Sequence, residues 1–279
     1  MMDEQSTVGR AVVSEGNADP KIRVRDVSKT FSVRGIDTLA LQSTSLDVAQ
    51  GEFVSLVGPS GCGKSTILNM IAGLLSPTSG EVFYGGAPVR ALNGRAGYMT
   101  QKDTLLPWRT AEANIRLPLE LACRDVSQSQ IRDRVADIMQ LVGLTGFEKH
   151  YPAELSGGMR KRVSLARILI YEPETLLMDE PFGALDAQLK LLMHDLLQRL
   201  AQQRKMTVLF VTHDLAEAIA LSDRVFVMSA RPGRIRVARE IPLGRPRDVF
   251  TVRFVDTFSH LHEELWHELK DEVQKGTDV

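Results

Sequence analysis

Cysteine is nearly absent. Cys62 and Cys123 are the only two in 279 residues, too few and too far apart for a disulfide framework or a zinc cluster, a usage that fits a reducing cytoplasm. No run approaches the roughly eighteen uninterrupted apolar residues of a bilayer-crossing helix. The opening stretch, Met1 to Asp19, is acidic and polar and lacks the basic-then-apolar order of a secretory signal, so the chain is expected to be neither secreted nor integral. An excess of basic charge is missing as well: 34 Lys and Arg stand against 35 Asp and Glu, which gives no reason to expect nucleic acid as a partner. There is no internal repeat and no low-complexity tract. What is present, 43% apolar and 25% charged residues, suits a globular protein long enough for one large domain or two small ones.

Along the chain, residues 1 to 20 read as a flexible leader that ends at Pro20. A β-rich run follows with Ile22, Val24 and Val27, then Leu46 and Val48, a turn at Gln50-Gly51 and the apolar strand Phe53 to Val57. A glycine-rich loop leads from that strand into Ile67 to Ala72, which has no helix breaker. Helical patterns occupy about residues 110 to 145, with Ile131, Val135, Ile138 and Leu141 along one face. A helix from Ser156 to Ile170, a buried strand Thr175 to Met178, a helix carrying Leu189, Met193, Leu196 and Leu200, and a strand Val208 to Val211 come next. Strands that alternate with helices imply an α/β fold with a parallel sheet. From about Asp248 to Val273 the chain is again helical, and its stripe of Phe258, Leu261, Leu265 and Leu269 is expected to pack on its own domain.

The loop Gly58-Pro59-Ser60-Gly61-Cys62-Gly63-Lys64-Ser65, followed by Thr66, fits G-x-x-x-x-G-K-S/T in the strand-loop-helix setting this motif needs. Its glycines let backbone N–H groups wrap a polyphosphate at a helix N-terminus, where the dipole also favours negative charge. Lys64 would reach the β- and γ-phosphates and Ser65 would ligate Mg²⁺, while Cys62 fills a position where only the backbone is used. The strand Thr175 to Met178 runs into Asp179 and Glu180, which places Asp179 near the phosphate loop, holding Mg²⁺ through water. Glu180 points to the other side and could polarise an attacking water as a general base. Between these two motifs stands Leu155-Ser156-Gly157-Gly158-Met159, where Ser156 caps a helix whose free N–H groups would face an anion. In isolation Ser-Gly-Gly would be no more than an N-capped helix.

Taken in order with the other two motifs, Leu155 to Met159 resembles the signature sequence of ABC ATPases. The resemblance covers about residues 21 to 260. It implies a P-loop NTPase, RecA-like core with a mainly parallel sheet, an N-terminal antiparallel β-subdomain and an inserted α-helical subdomain at about 102–160. The ATPase domain would span 21–247, with a helical extension over 248–279. It further implies that Gln101 senses the γ-phosphate and Mg²⁺, that His213 contacts the γ-phosphate and orients the water, and that Asp186, in the turn Gly183-Ala184-Leu185-Asp186, lies at a dimer seam. Gly183 departs from the family's common Ser. Phe31 would stack on adenine, although an aromatic at a strand end is as often a core residue. The implied assembly is a head-to-tail homodimer holding two ATP-Mg²⁺, each between one subunit's phosphate loop and the signature of the other.

Segments around Leu106-Pro107-Trp108 and Arg231-Pro232-Gly233-Arg234 resemble the nitrate, sulfonate and taurine importer subfamily. That implies a peripheral subunit on the cytoplasmic face of the inner membrane, docked on integral permease subunits through Leu106, Pro107 and Trp108, and linked indirectly to an extracytoplasmic solute-binding protein. A buried Leu-Pro-Trp corner is the alternative for that segment. A soluble ABC ATPase with a regulatory or nucleic-acid-linked role is the alternative for the whole chain. His260, His262 and His267 lack zinc spacing and read as a solvated face; the acidic residues around them argue against anionic lipid.

Overall fold

The computed structural model describes residues 19–122 and 127–277. Nearly all of the expected leader, and Cys123, lie outside the described residues. The chain builds two sheets. In the first, β1 (Ile22–Val33) and β2 (Ile36–Val48) form a long antiparallel hairpin, which β4 (Ser79–Tyr84) and β5 (Ala87–Pro88) extend in the order β2-β1-β4-β5. Its register sets Ile22 opposite Val48 and Val24 opposite Leu46, so one face is apolar and buried.

The second sheet contains β3 (Phe53–Val57), β6 (Ala96–Met99), β7 (Thr175–Asp179), β8 (Thr207–Thr212), β9 (Arg224–Met228) and β10 (Ile235–Glu240), in the order β10-β9-β3-β8-β7-β6. Every pairing in it is parallel except β10 on β9. Strands β3 and β8 are buried along their whole length, which is why they read as continuous apolar runs rather than alternating ones.

Helix α1 (Lys64–Ile71) brings Ile67, Leu68, Met70 and Ile71 into one cluster with Val24, Leu41 and Leu46 of the hairpin and Val54, Leu56 and Leu209 of the main sheet. Another cluster joins Met99, Met178 and Phe210 to helices α2 (Ala111–Ala122), α3 (Gln128–Leu141), α4 (Gly157–Leu169) and α5 (Ala187–Gln203). Ser127 and Gln130 form a capping box that starts α3. Its packing face differs from the expected stripe at one end: Leu141 is exposed, and Met139 and Val142 are buried instead. Ten residues beyond Ile131, Leu141 lies about 80° round the helix from it, whereas Val142 returns to within about 20°.

A third cluster places α7 (Asp256–Thr277) against α6 (Leu215–Leu221) and β9, with Phe258, Leu261, Leu265 and Leu269 all buried. The expected stripe does pack on its own domain. No helix among the described residues is long and apolar enough to cross a membrane. The expected architecture, a mainly parallel α/β core with a separate antiparallel sheet and added helices, is the one that forms.

Glu174, just before β7, fastens the two sheets together. It accepts from Arg95 Nε and Nη2 at 2.7 and 2.8 Å, and pairs with Lys21 at the start of β1. The Arg95 guanidinium first, and the Lys21 ammonium second, hold its carboxyl down at about 2. A depressed carboxyl contributes stability above its unfolded-state value and loses it as pH falls through the folded one. Glu174→Gln is therefore expected to lower the unfolding midpoint slightly at pH 7, since Glu174 is substantially exposed and screened. The gap to wild type should close as pH drops from 4.5 towards 2, which acid titration of thermal unfolding measures.

Candidate active site

The parallel register gathers the candidate residues at one edge of the sheet. Val57 pairs with Thr212, Asp179 with Val211 and Met99 with Met178, so the chain leaves neighbouring strands at Gly58, His213, Glu180 and, two residues past β6, Gln101. The loop from Gly58 enters α1 with Gly63 as its N-cap at φ 99°. A Cβ at Gly63 would lie 2.5 Å from Leu41 Cδ2, so both backbone angle and space demand glycine there. Lys64 is buried, and its ammonium donates to Gly58 O at 2.8 Å and Pro59 O at 2.9 Å. Ser60, Gly61 and Ser65 are exposed, and Pro59 and Thr66 partly so. Cys62 is fully buried in the α1 cluster, and that burial pushes its thiol up.

Asp179 is half-buried at the end of β7. Burial raises its carboxyl above the usual range, the neighbouring Ser65 hydroxyl and Lys64 pull it down, and Glu180 pushes it up again. Glu180 takes a left-handed backbone at φ 43°, and its N–H donates to Val211 O at 3.0 Å. That turn lets its carboxylate Oε2 stand 3.2 Å from Gln101 Nε2 and 3.3 Å from His213 Nδ1. The three residues expected to act on the water and γ-phosphate thus meet at one carboxylate oxygen, where the Gln101 amide donates and the His213 ring nitrogen stands within 3.3 Å.

Ser156 caps α4 by accepting from Met159 N at 3.3 Å, and is exposed while Leu155 and Gly158 are buried. The next turn of α4 is tied to the Gln101 segment. Lys161, itself buried, donates to Gln101 O at 2.7 Å and pairs with Asp103 at 2.9 Å, while Arg160 reaches Asp103 at 3.4 Å and Leu155 O at 2.5 Å. Asp186 caps α5 by accepting from Leu189 N at 3.0 Å. Phe31 is exposed near the turn of the β1–β2 hairpin, with the Lys29 ammonium 5.3 Å from its ring centre. It belongs to no core cluster, so the core alternative falls away. The same hairpin runs past the phosphate loop, where Leu41 abuts Gly63.

Trp108 is 71% exposed, which removes the buried-corner alternative. Pro107 is exposed and Leu106 partly buried. Asn114, fully buried on α2, organises this segment: it accepts from Leu106 N at 2.8 Å and donates to Leu106 O, Arg109 O and Thr110 O at 3.1, 2.9 and 3.1 Å.

Sequence reasoning missed Asn114, Lys161 and a buried cluster behind His213. There Glu217 Oε1 lies 3.0 Å from His194 Nε2 and Oε2 accepts from Thr212 Oγ1 at 2.5 Å. Despite burial, the His194, Thr212 and Lys190 contacts keep the Glu217 carboxyl below its usual range. Asp214 and Glu217 have the spacing of a helix start, and Asp214 does cap α6; nothing local predicts that Glu217 turns to a histidine on another helix. Among the described residues, no group of three or more His, Cys, Asp or Glu could hold a metal.

A family model described as ABC transporter matches residues 41–183. The chain is 43% identical over 256 residues to an uncharacterized ABC transporter ATP-binding protein of Methanocaldococcus jannaschii, covering 92% of this chain and 94% of that one. It is 42% identical over 226 residues to the aliphatic sulfonates import ATP-binding protein SsuB of Bacillus cereus, covering 81% and 88%. Among solved structures it resembles a dimeric, post-hydrolysis state of the ATP-binding cassette MJ0796 bound to ADP and Pi, with a TM-score of 0.72, 32% identity, and 80% and 100% of the two chains covered. The chain belongs to the ABC transporter family as an ATP-binding protein, and it is an ATP hydrolase.

Removing one partner from a buried ionic cluster costs about 3–5 kcal/mol because the others lose their compensation. Glu217→Ala is expected to lose about that much in urea unfolding, and Glu217→Gln, which keeps an acceptor for Thr212, less.

Proposed function

We propose that this ATPase drives a membrane importer for a sulfonate or a related small solute, such as nitrate or taurine, by closing and reopening a head-to-tail homodimer around two ATP. The observation that carries the catalytic part is the meeting of Gln101, Glu180 and His213 at the strand edge beside the phosphate loop. In this reading the loop from Gly58 to Thr66 binds the phosphates through its N–H groups, and the Lys64 ammonium leaves the carbonyls of Gly58 and Pro59 for the β- and γ-oxygens. Phe31 stacks on adenine. Glu180, turned away from its strand, accepts a proton from the water as the water's oxygen bonds to the γ-phosphorus and the bond to the β–γ bridging oxygen breaks. Gln101 and His213, the two side chains beside the Glu180 carboxylate, hold that water and the γ-phosphate oxygens in line.

The donor set beside the loop suits a hard cation: the exposed Ser65 hydroxyl neighbours a half-buried carboxylate, Asp179, with the Gln101 amide 3.2 Å from Glu180. Ser65, Gln101 and, through water, Asp179 would hold Mg²⁺, which would neutralise charge on the phosphates. Leu155 to Met159 of one subunit would face the γ-phosphate bound by the other, with Asp186 at the seam. Several relatives are named as sulfonate import ATP-binding proteins, which supports the importer and the solute class. The exposed Trp108, with Leu106 and Pro107 on a segment pinned by Asn114, has the form of an aromatic anchor for an integral subunit. The chain would then sit at the cytoplasmic face of the membrane and meet a solute-binding protein only through that subunit.

Glu180→Gln is expected to cut steady-state hydrolysis about 10²- to 10⁴-fold and to trap an ATP-bound dimer in gel filtration. Lys64→Ala is expected to weaken ATP binding. Wild-type turnover in the Glu180 variant would remove it as the base.

For the membrane contact, the tagged chain is expected to capture an integral protein from detergent-solubilised membranes, and Trp108→Ala to reduce capture about tenfold or more. If no integral protein co-purifies, a soluble regulatory or nucleic-acid-linked ATPase becomes the better reading.

A further inference from the structure

Glu272 lies near the far end of α7, yet it is buried and its carboxylate is spent on a turn between two strands. Oε2 accepts from Ala230 N at 2.8 Å and Oε1 from Arg236 Nη1 at 2.6 Å. The turn after β9 is closed on itself by Ser229, whose hydroxyl donates to Ala230 O and Pro232 O at 2.9 and 3.2 Å and accepts from Arg234 N at 3.1 Å. At its tip, Gly233 N donates to Ala40 O and Gly233 O accepts from Gln42 N, both at 2.9 Å. A Cβ on Gly233 would fall 1.7 Å from Cys62 O and 3.3 Å from Leu41 Cδ2. Backbone therefore lies directly against the backbone of the phosphate loop, and Leu41 fills the angle between Gly63 and Gly233.

We propose that Glu272 is a positioning residue for the phosphate loop. Through the turn from Ser229 to Arg234, the C-terminal helix holds the loop from Gly58 to Lys64 in the conformation that binds nucleotide, and so sets nucleotide affinity. The route runs through a buried carboxylate bonded to a backbone N–H and a guanidinium, a turn closed by the Ser229 hydroxyl and backbone, and a glycine contact that leaves no room for a side chain. The four-residue apolar stripe of α7 anchors the helix to α6 and β9, so the carboxylate arrives at the turn already oriented. This inference rests on reading Gly58 to Thr66 as the phosphate-binding loop.

The test is ADP binding by titration calorimetry with the full chain, alongside thermal unfolding and amide hydrogen exchange. Glu272→Ala is expected to raise the Kd for ADP about threefold to tenfold, and to speed exchange in 58–63 and 229–234 together. Glu272→Gln keeps an acceptor for Ala230 N–H but loses the charge opposite Arg236, and is expected to fall between wild type and Glu272→Ala. Arg236→Ala should shift affinity in the same direction; with Glu272→Gln it decides the matter if Glu272→Ala does not fold. Val135→Ala, in the core of α3, serves as a variant that loses stability without touching the route, and should leave ADP affinity alone. Lowered stability with unchanged ADP affinity in the Glu272 and Arg236 variants would overturn the proposal, as would an equal loss of affinity in Val135→Ala. If Lys64→Ala also leaves ADP binding unchanged, the phosphate-loop reading is what has failed; if Lys64→Ala weakens it and the Glu272 variants do not, only the role of Glu272 has.

Discussion

Everything at the candidate active site depends on the parallel backbone pairing of β3, β8, β7 and β6. Strands buried on both faces cannot carry charge along their length, so their charged residues are displaced to the ends. Because the strands are parallel, those ends fall on the same side. With Val57 opposite Thr212 and Asp179 opposite Val211, Gly58, His213 and Glu180 leave the sheet side by side, although they are far apart in the chain. The last bond of this ladder, Glu180 N–H to Val211 O, is also where the chain turns left-handed. Without that turn Glu180 would continue the alternation of β7 rather than face Gln101 and His213.

Apolar packing fixes where helices sit but leaves the direction of a loop open, and here the loops are directed by buried polar side chains. Asn114 sets the segment that carries Trp108, Lys161 the segment that carries Gln101, and Glu217 the strand end before His213. Arg247 does the same for the strap before α7, donating to Ile219 O, Ser222 O, Ile241 O and Leu243 O, with burial holding its guanidinium down at about 10. Each of these groups is costly to bury unless every partner is in place, so each tolerates one local arrangement and excludes its neighbours. Specificity of loop conformation is the return on that cost.

The elements legible in the sequence are those whose signal is local. A glycine loop between an apolar strand and an unbroken helix, a serine before Gly157-Gly158, and two carboxylates at the end of Thr175 to Met178 each announce their place within a few residues. The stripe of α7 was equally plain. Strands β9 and β10 were not singled out, because neither alternates cleanly and their pairing is set by partners more than a hundred residues away for β9. The end of the α3 stripe was misplaced at Leu141 because a step of three residues drifts off the 3.6-residue period. The polar junctions were invisible for a different reason. An asparagine on a helix, or a glutamate near the end of one, has many possible partners, and only the fold chooses between them. Exposure was likewise undecidable for Trp108 and Phe31, since an aromatic beside proline or at a strand end suits a core and a contact surface alike.

These junctions also bear on how ATP chemistry would reach a membrane partner. The segment from Gln101 to Thr110 is gripped at successive points: Lys161 holds Gln101 O and Asp103, Arg167 donates to Thr104 O at 2.8 Å, and Asn114 holds Leu106 to Thr110. The first two grips come from α4, whose N-terminus carries Ser156, and the third from α2, which packs on α4. A force on Ser156 from a partner's nucleotide, or on Gln101 from its own, would therefore move one body rather than bend a flexible loop. Trp108 rides on that body. In the proposed cycle its exposed ring would report the state of both nucleotide sites at once, which is what a subunit needs if hydrolysis is to be coupled to a transporter rather than run idle.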